Sequence, residues 1–358
     1  MTDLDDALGG DLRTVLELAA LAPSVHNSQP WRFVWDGGSL SLYEDRSRAL
    51  PVLDPAGRER VLSCGAALLN ARVALSDLGH QHTVGLLPDP AQPDLLAIVT
   101  MSGHGEPDDD EQVLAQAIPR RTTDRDPFDA RRVPDEARTA LRLAAEQEGA
   151  WLRFVTHEAD GDDADDDDAV ELQVLLSHAD DSQRSDPRYL AELASWRRER
   201  EAEGVPTRAL SSVPAELRAS TWVPRDFDAG SPDPPAPTDP PPPALTDSPP
   251  PAEHPAVLVL GTRGDDRHDW LVAGQALGRV LLRATVDGLA AQPLTQVMEV
   301  PVLRARMRHA LGVQGHPQML LRVGYGHTGH TGHTGHTGHT GHTSRRRTVE
   351  DFTSVATR

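Results

Sequence analysis

Lysine is absent from this 358-residue chain, asparagine occurs only at Asn27 and Asn70, and Cys64 is the single cysteine. One thiol excludes an intramolecular disulfide framework, and no cysteine spacing suits a zinc ribbon or finger. Redox chemistry in such a chain needs a cofactor. Several site signatures are missing as well: there is no Walker phosphate loop, no Gly-x-Gly-x-x-Gly after a strand, no Gly-x-Ser-x-Gly elbow and no His-Glu-x-x-His. Nucleoside-triphosphate and Rossmann-type readings fall with them. No apolar run approaches the length of a membrane span, and the acidic Met1–Gly10 stretch lacks the basic and apolar regions of a signal peptide. The expected location is therefore cytoplasmic. A formal charge of −20 opposes non-specific binding to nucleic acid, although seven aspartates between Asp160 and Asp168 carry a large share of it.

What is present can fill a core: the chain is 38% hydrophobic and long enough for one large or two ordinary domains. Leu12–Leu21 has helical apolar spacing and stops at Pro23. Trp31–Trp35 and Leu40–Tyr43 flank a glycine turn and read as a hairpin. Arg58–Leu78 predicts a buried central helix with a face of small residues, followed by strands at Thr83–Leu87 and Leu95–Met101. The order then recurs: a helix at Pro134–Glu148, a strand at Trp151–Val155, a strand at Pro255–Leu260, a small-faced helix at Trp270–Gly288 and a strand at Gln318–Val323. Helix, tryptophan-bearing strand, small-faced helix and late strand thus occur twice, which predicts an α+β chain of two tandem degenerate repeats. Glu158–Asp168 reads as a solvated acidic loop, Pro224–Pro255 as an extended connector, and Gly326–Thr343 as six tandem Gly-His-Thr triplets outside the core. Within Pro187–Leu210 the apolar spacing predicts an inserted amphipathic helix stopped by Gly204-Val205-Pro206, without a counterpart in the first half; such a helix serves as a lid or as simple packing.

Two segments are chemically dense. In the first, Ala22–Phe33, Pro23 and Pro30 stiffen the ends, while Ser24, Asn27 and Gln29 offer hydrogen bonds suited to the edge of a heteroaromatic ring or to capping a polar turn. His26 is assigned no catalytic role, Trp31 and Phe33 are core residues, and Cys64 is an inert buried thiol. In the second, Arg120–Arg125 places three guanidiniums and two hydroxyls within six residues. Such a set suits a phosphate, or is a solvated basic turn.

Taken together, Ala22–Ser24 with Asn27–Phe33 resembles the flavin-site segment of the nitroreductase family, and Arg121–Arg125 resembles that family's basic-x-hydroxyl-x-basic phosphate segment. Ordinary members carry both in one short subunit, phosphate segment first, with FMN at the dimer interface. Here the order is reversed and each half holds what the other lacks, so the chain resembles the fused, Acg-like branch in which one chain mimics a dimer. The resemblance implies a nitroreductase-like internal pseudo-dimer with mixed or antiparallel sheets flanked by helices. Its halves would be residues 1–110 and 111–358, the second with an acidic loop at 158–168, a lid-like insertion at 187–225, a Pro-rich linker at 224–255 and the Gly-His-Thr repeat at 326–343.

It further implies FMN as cofactor. Arg121, Thr122, Thr123 and Arg125 would hold it together with Arg346 or Arg347; Pro23, Ser24, Asn27 and Gln29 would reach it from the other half, and Gln292, Pro293 and Leu294 would lie beside the ring. Hydride would come from NAD(P)H and leave to a nitroaromatic or quinone-like acceptor, so the partners are a small-molecule donor and acceptor, with the internal pair serving as a monomer. The alternative is a catalytically weak protein that stores FMN under its lid. A metal-binding protein built on the histidine and acidic runs ranks last, and no metal ligands are assigned.

Overall fold

In the computed structural model, described residues are 4–125, 128–155, 164–196, 204–205, 225, 253–326 and 345–356. Helix α1 (Leu4–Ala20) bends at Gly9, which has a positive φ of 68°, and buries Leu8, Leu12, Val15, Leu16 and Ala19 at helical spacing. Strands β1 (Trp31–Trp35) and β2 (Ser39–Glu44) pair antiparallel. Asp36 fixes their turn, its carboxylate accepting from the backbone of Gly38 at 2.9 Å and Ser39 at 2.7 Å. Strand alternation buries Trp31 and Phe33 completely and turns Arg32 outward over the Tyr43 ring.

The remaining elements of the first sheet follow α2 (Arg58–Asp77): β3 (His80–Leu86) and β4 (Leu95–His104). After α3 (Asp109–Ala117) and α4 (Asp135–Gln147) come β5 (Trp151–Phe154), α5 (Ala164–Arg184) and α6 (Pro187–Ser195). The chain continues through β6 (Ala256–Thr262), α7 (Arg267–Val286), β7 (Ala290–Pro293), α8 (Gln296–Glu299), α9 (Pro301–Ala310), β8 (His316–Gly324), α10 (Val349–Phe352) and β9 (Thr353–Val355). One sheet has the order β3-β4-β2-β1-β9, antiparallel except for the parallel β1–β9 pair. The other, β5-β6-β8-β7, is wholly antiparallel. The α+β class with mixed and antiparallel sheets flanked by helices is as the sequence predicted. Strand β9, far past residue 110 in sequence, completes the first sheet.

The small faces of α2 and α7 explain their meeting. A Cβ on Gly274 would stand 2.0 Å from the Leu62 carbonyl oxygen, and one on Gly65 would stand 2.4 Å from that of Leu271. Only glycine permits this backbone-to-backbone approach. A buried charge cluster ties further elements to the pair: Glu148 accepts from Arg72 of α2 at 2.6 Å and Arg279 of α7 at 2.7 Å, and Arg279 also meets Glu111 of α3 at 2.8 Å.

Two expectations change. Residues 164–168 are not loop but the start of α5, and Asp168 accepts from Arg153 at 2.7 Å. The inserted helix, α6, ends at Ser195, before the expected stop at Gly204–Pro206. It docks through buried Tyr189 and Leu193 against Leu50 and Leu53, and the Glu192 carboxylate accepts from the backbone of Val52 and Leu53. Residues 158–163 of the acidic run and 197–203 and 206–224 of the insertion lie outside the described residues. So do 226–252 of the Pro-rich segment and 327–343 of the triplets.

Candidate functional site

Pro23 ends the first helix region and hands the chain to a tight turn at Val25–Asn27. Left-handed backbone follows at three non-glycine residues, with φ of 49° at His26, 53° at Asn27 and 48° at Gln29. Such residues persist only where surroundings over-determine them. Here the backbone of Gln29 donates to Ser24 Oγ at 3.0 Å, and its buried side chain donates to Asn27 O and accepts from the backbone N–H of Arg347 at 2.8 Å. Arg347 Nη1 in turn reaches Gln29 O at 3.2 Å. Asn27 is equally committed: Nδ2 donates to Gly204 O at 3.1 Å and Arg345 O at 3.0 Å, while Oδ1 accepts from Arg346 Nη1 at 2.9 Å.

That turn forms one wall of a cleft of about 180 Å³. Pro23, Ser24 and Asn27 line it, as do Arg121, Thr122, Thr123 and Arg125 from the basic segment, Gln292 and Pro293 at the end of β7, and Arg346. The basic segment is held in place by α3, whose Ala117 carbonyl accepts from Arg121 N at 2.9 Å, and by β7, whose Ala291 pairs with Thr123 and accepts from Asp124 N at 3.1 Å. The two dense segments thus converge although about a hundred residues separate them.

Three expected residues stand elsewhere. Gln29 is behind the turn, and Arg347 packs its guanidinium over the Phe352 ring, 5.7 Å from the centroid. Leu294 is buried in a core cluster with Val257, Leu320 and Met298. His26, assigned no catalytic role from sequence, also lines the cleft, as do residues the sequence did not single out for the site: Arg225, Thr295, and Glu59, Leu62 and Ser63 from one face of α2. The i, i+3, i+4 spacing of the last three was visible but reads as ordinary core periodicity.

Cationic charge dominates the site. Burial lowers Arg121 to about 10, and its Nε has no hydrogen-bond partner among the described residues. Burial, then Arg225, lower Arg125 to about 10; burial, then Arg121, lower Arg346 to about 9. His26 is held well below the ordinary imidazole range by burial and by Arg225 and Arg125. The guanidiniums fall into two groups, Arg121 with Arg346 and Arg125 with Arg225, the second beside the neutral His26 ring. Arg225 is tied to the second sheet's side of the cleft: Nη2 donates to the Glu299 carboxylate at 2.6 Å and to Thr295 Oγ1 at 2.9 Å, and Nη1 donates to Tyr189 Oη. Buried forked donors call for an anion. Leu21, Leu62, Leu277 and Met319 add apolar walls for the rest of a ligand.

The pattern of the nitroreductase family matches residues 235–325. The Mycobacterium tuberculosis (strain ATCC 25618 / H37Rv) protein named "Putative NAD(P)H nitroreductase Rv3131" is 38% identical over 316 residues, covering 88% of this chain and 85% of that protein. The one named "Putative NAD(P)H nitroreductase acg" from the same strain is 32% identical over 314 residues, covering 87% and 88%. A crystal structure of a nitroreductase with bound FMN from Bacteroides fragilis NCTC 9343 aligns with 64% of this chain and 97% of its own at a TM-score of 0.35 and 14% identity. On the evidence of its full-length relatives, the chain belongs to the nitroreductase family, in the branch that includes the mycobacterial Acg proteins.

Proposed function

We propose that this protein is an FMN-binding NAD(P)H oxidoreductase of nitroreductase type that reduces a nitroaromatic or quinone-like acceptor. The observation that carries the reading is Arg121, a buried guanidinium whose Nε finds no partner among the described residues, on a cleft it shares with Arg125 and Arg346. A buried cation is retained at a cost unless an anion satisfies it. A flavin phosphate fits that requirement, and the apolar walls formed by Leu62, Leu277 and Met319 fit a ring system. Arg121, Thr122, Thr123, Arg125 and Arg346 would hold the phosphate end, with Pro23, Ser24, Gln292 and Pro293 beside the ring. Asn27 acts by fixing Arg346, since its amide is bonded to Gly204, Arg345 and Arg346. Gln29 and Arg347 support the turn from behind, and Leu294 anchors the end of β7 in the core.

Bound FMN would supply hydride transfer between a nicotinamide and the acceptor. The chain's own contribution is to bind, orient and exclude water. In this reading residues 1–110 and 111–358 act as the two subunits of a dimer would, each bringing one dense segment to a single site. Purified protein should carry a yellow chromophore that NADH or NADPH bleaches; a colourless protein that takes up no FMN defeats the reading.

A second reading, storage of FMN under a closed insertion, is favoured by one contact set. Gly204 accepts from Asn27, and Arg225 is buried against Glu299, so residues of the insertion region sit on the cleft wall. Tightly held FMN that neither nicotinamide reduces would favour storage over turnover.

A further inference from the structure

Reduction of a quinone or nitro group by hydride consumes a proton as well. Among the described residues, the titratable side chains on the cleft are His26, Glu59 and the arginines Arg121, Arg125, Arg225 and Arg346. The arginines keep their protons near neutral pH. His26 is neutral there, because burial and the flanking Arg225 and Arg125 disfavour the imidazolium, and the N–H of a neutral ring is a very weak acid. Glu59 remains. It stands in the first turn of α2, 3% exposed, on the same helix face as Leu62 and Ser63.

From this placement we infer that Glu59 is the proton donor to the electron acceptor, a role that rests on the oxidoreductase reading above. Its surroundings suit the task. The Arg58 guanidinium bonds the carboxyl, but it also serves the Gln318 carbonyl at 2.6 Å and Gln318 Oε1 at 3.1 Å, so its charge is shared. Asp54 from the loop before α2, Glu299 from α8 and Arg225 also act on Glu59. Burial first, with the carboxylates of Glu299 and Asp54 adding to it, pushes Glu59 up to about 7 against the pull of Arg58 and Arg225. A carboxyl poised there is half protonated near neutral pH, the condition under which general acid catalysis works best.

The step balances. A quinone gains hydride equivalents originating from the nicotinamide; the Glu59 O–H bond breaks, a new O–H bond forms on the acceptor oxygen, and hydroquinone leaves. For a nitro group, the same proton assists departure of one oxygen as water when hydride converts nitro to nitroso. The Glu59 carboxylate then takes a proton back from water.

Three measurements test this on the full-length protein. Wild type and Glu59→Gln are loaded with FMN, reduced with NADH or NADPH, and mixed with a benzoquinone while reoxidation is followed against pH. Reoxidation should slow by about 100-fold in Glu59→Gln and lose its break near neutrality, and Glu59→Asp should restore part of both. Separately, infrared spectra of the cofactor-free wild type should show a protonated carboxyl that titrates near about 7 and is missing from Glu59→Gln. Equal rates and pH profiles in wild type and Glu59→Gln, or no such carboxyl in wild type, overturn the assignment while leaving the flavin reading intact. Wild type that binds no FMN, or holds it unreduced by either nicotinamide, overturns both.

Discussion

The side chain of Gln29, fully buried, receives the backbone N–H of Arg347 at 2.8 Å, joining a strained turn near the start of the chain to an arginine segment more than three hundred residues away. The same glutamine donates to Asn27 O, across the residues with left-handed backbone. Replacing Gln29 by Ala leaves the Arg347 N–H unsatisfied and releases the turn. We expect a loss of about 1–3 kcal/mol in stability together with weakened FMN binding. Paired denaturation and FMN titrations check it; an unchanged midpoint would show that the turn is held by other contacts.

Arg121 predicts opposite signs for two observables. Burial alone depresses it, so Arg121→Met should leave the cofactor-free protein as stable as wild type or slightly more so. Its affinity for FMN should nevertheless fall by roughly tenfold to a hundredfold, the loss of a charged hydrogen-bonding partner. Inorganic phosphate should raise the melting temperature of wild type more than that of the variant. Parallel phosphate responses would place the anion elsewhere.

Gly274→Ala tests the helix contact. Its new methyl would meet the Leu62 carbonyl oxygen at 2.0 Å, a position from which backbone cannot easily retreat. The expected cost is about 1–3 kcal/mol, and because Leu62 lines the cleft, FMN affinity should drop as well. Thermal melts with and without FMN would reveal both effects, whereas Gly85→Ala, at a site where a Cβ meets nothing within 4 Å, serves as the control.

Stability should depend on pH through two carboxyls of opposite sign. Glu59 is raised, so its protonated form contributes stability that is complete below its ordinary value of 4.5 and is lost as pH climbs to about 7. Burial opposes the charge of Glu148 too, but Arg72 and Arg279 outweigh it and hold that carboxyl below the usual range. Its contribution is present above the unfolded value and disappears as pH falls through the depressed one. Melting temperature against pH should therefore flatten between about 4.5 and 7 in Glu59→Gln while the acid limb remains. A wild-type curve already flat in that window would contradict the account.

Unbroken apolar and small-residue runs made α2 and α7 legible as buried helices, strand alternation made the β1–β2 hairpin legible, and the glycines at 65 and 274 marked the close contact. Helix α5 was not legible: its aspartate-rich start resembles a solvated run, and only the apolar residues beyond, such as Leu172, Leu175 and Leu176, reveal the buried face. At the site, Pro23, Ser24 and Arg121 were readable as dense chemistry. The division of labour between Arg346 and Arg347 was not, since adjacent arginines have equal propensity and the contacts of Asn27 and Phe352 decide which one faces the cleft. Glu59 escaped for a related reason, as a carboxylate in the first turn of a helix ordinarily signals solvation rather than a buried wall.

Strand β9 and the arginines just before it have a temporal meaning. Synthesis runs from the N-terminal side, so the turn at Pro23–Gln29 emerges well before Arg347 and cannot be clamped until Arg347 has been made. The cleft lacks Arg346 for the same interval. On the proposed function, FMN capture would therefore be a late event in the life of each molecule, and a chain interrupted before that point would expose a half-built pocket with its left-handed turn unsupported.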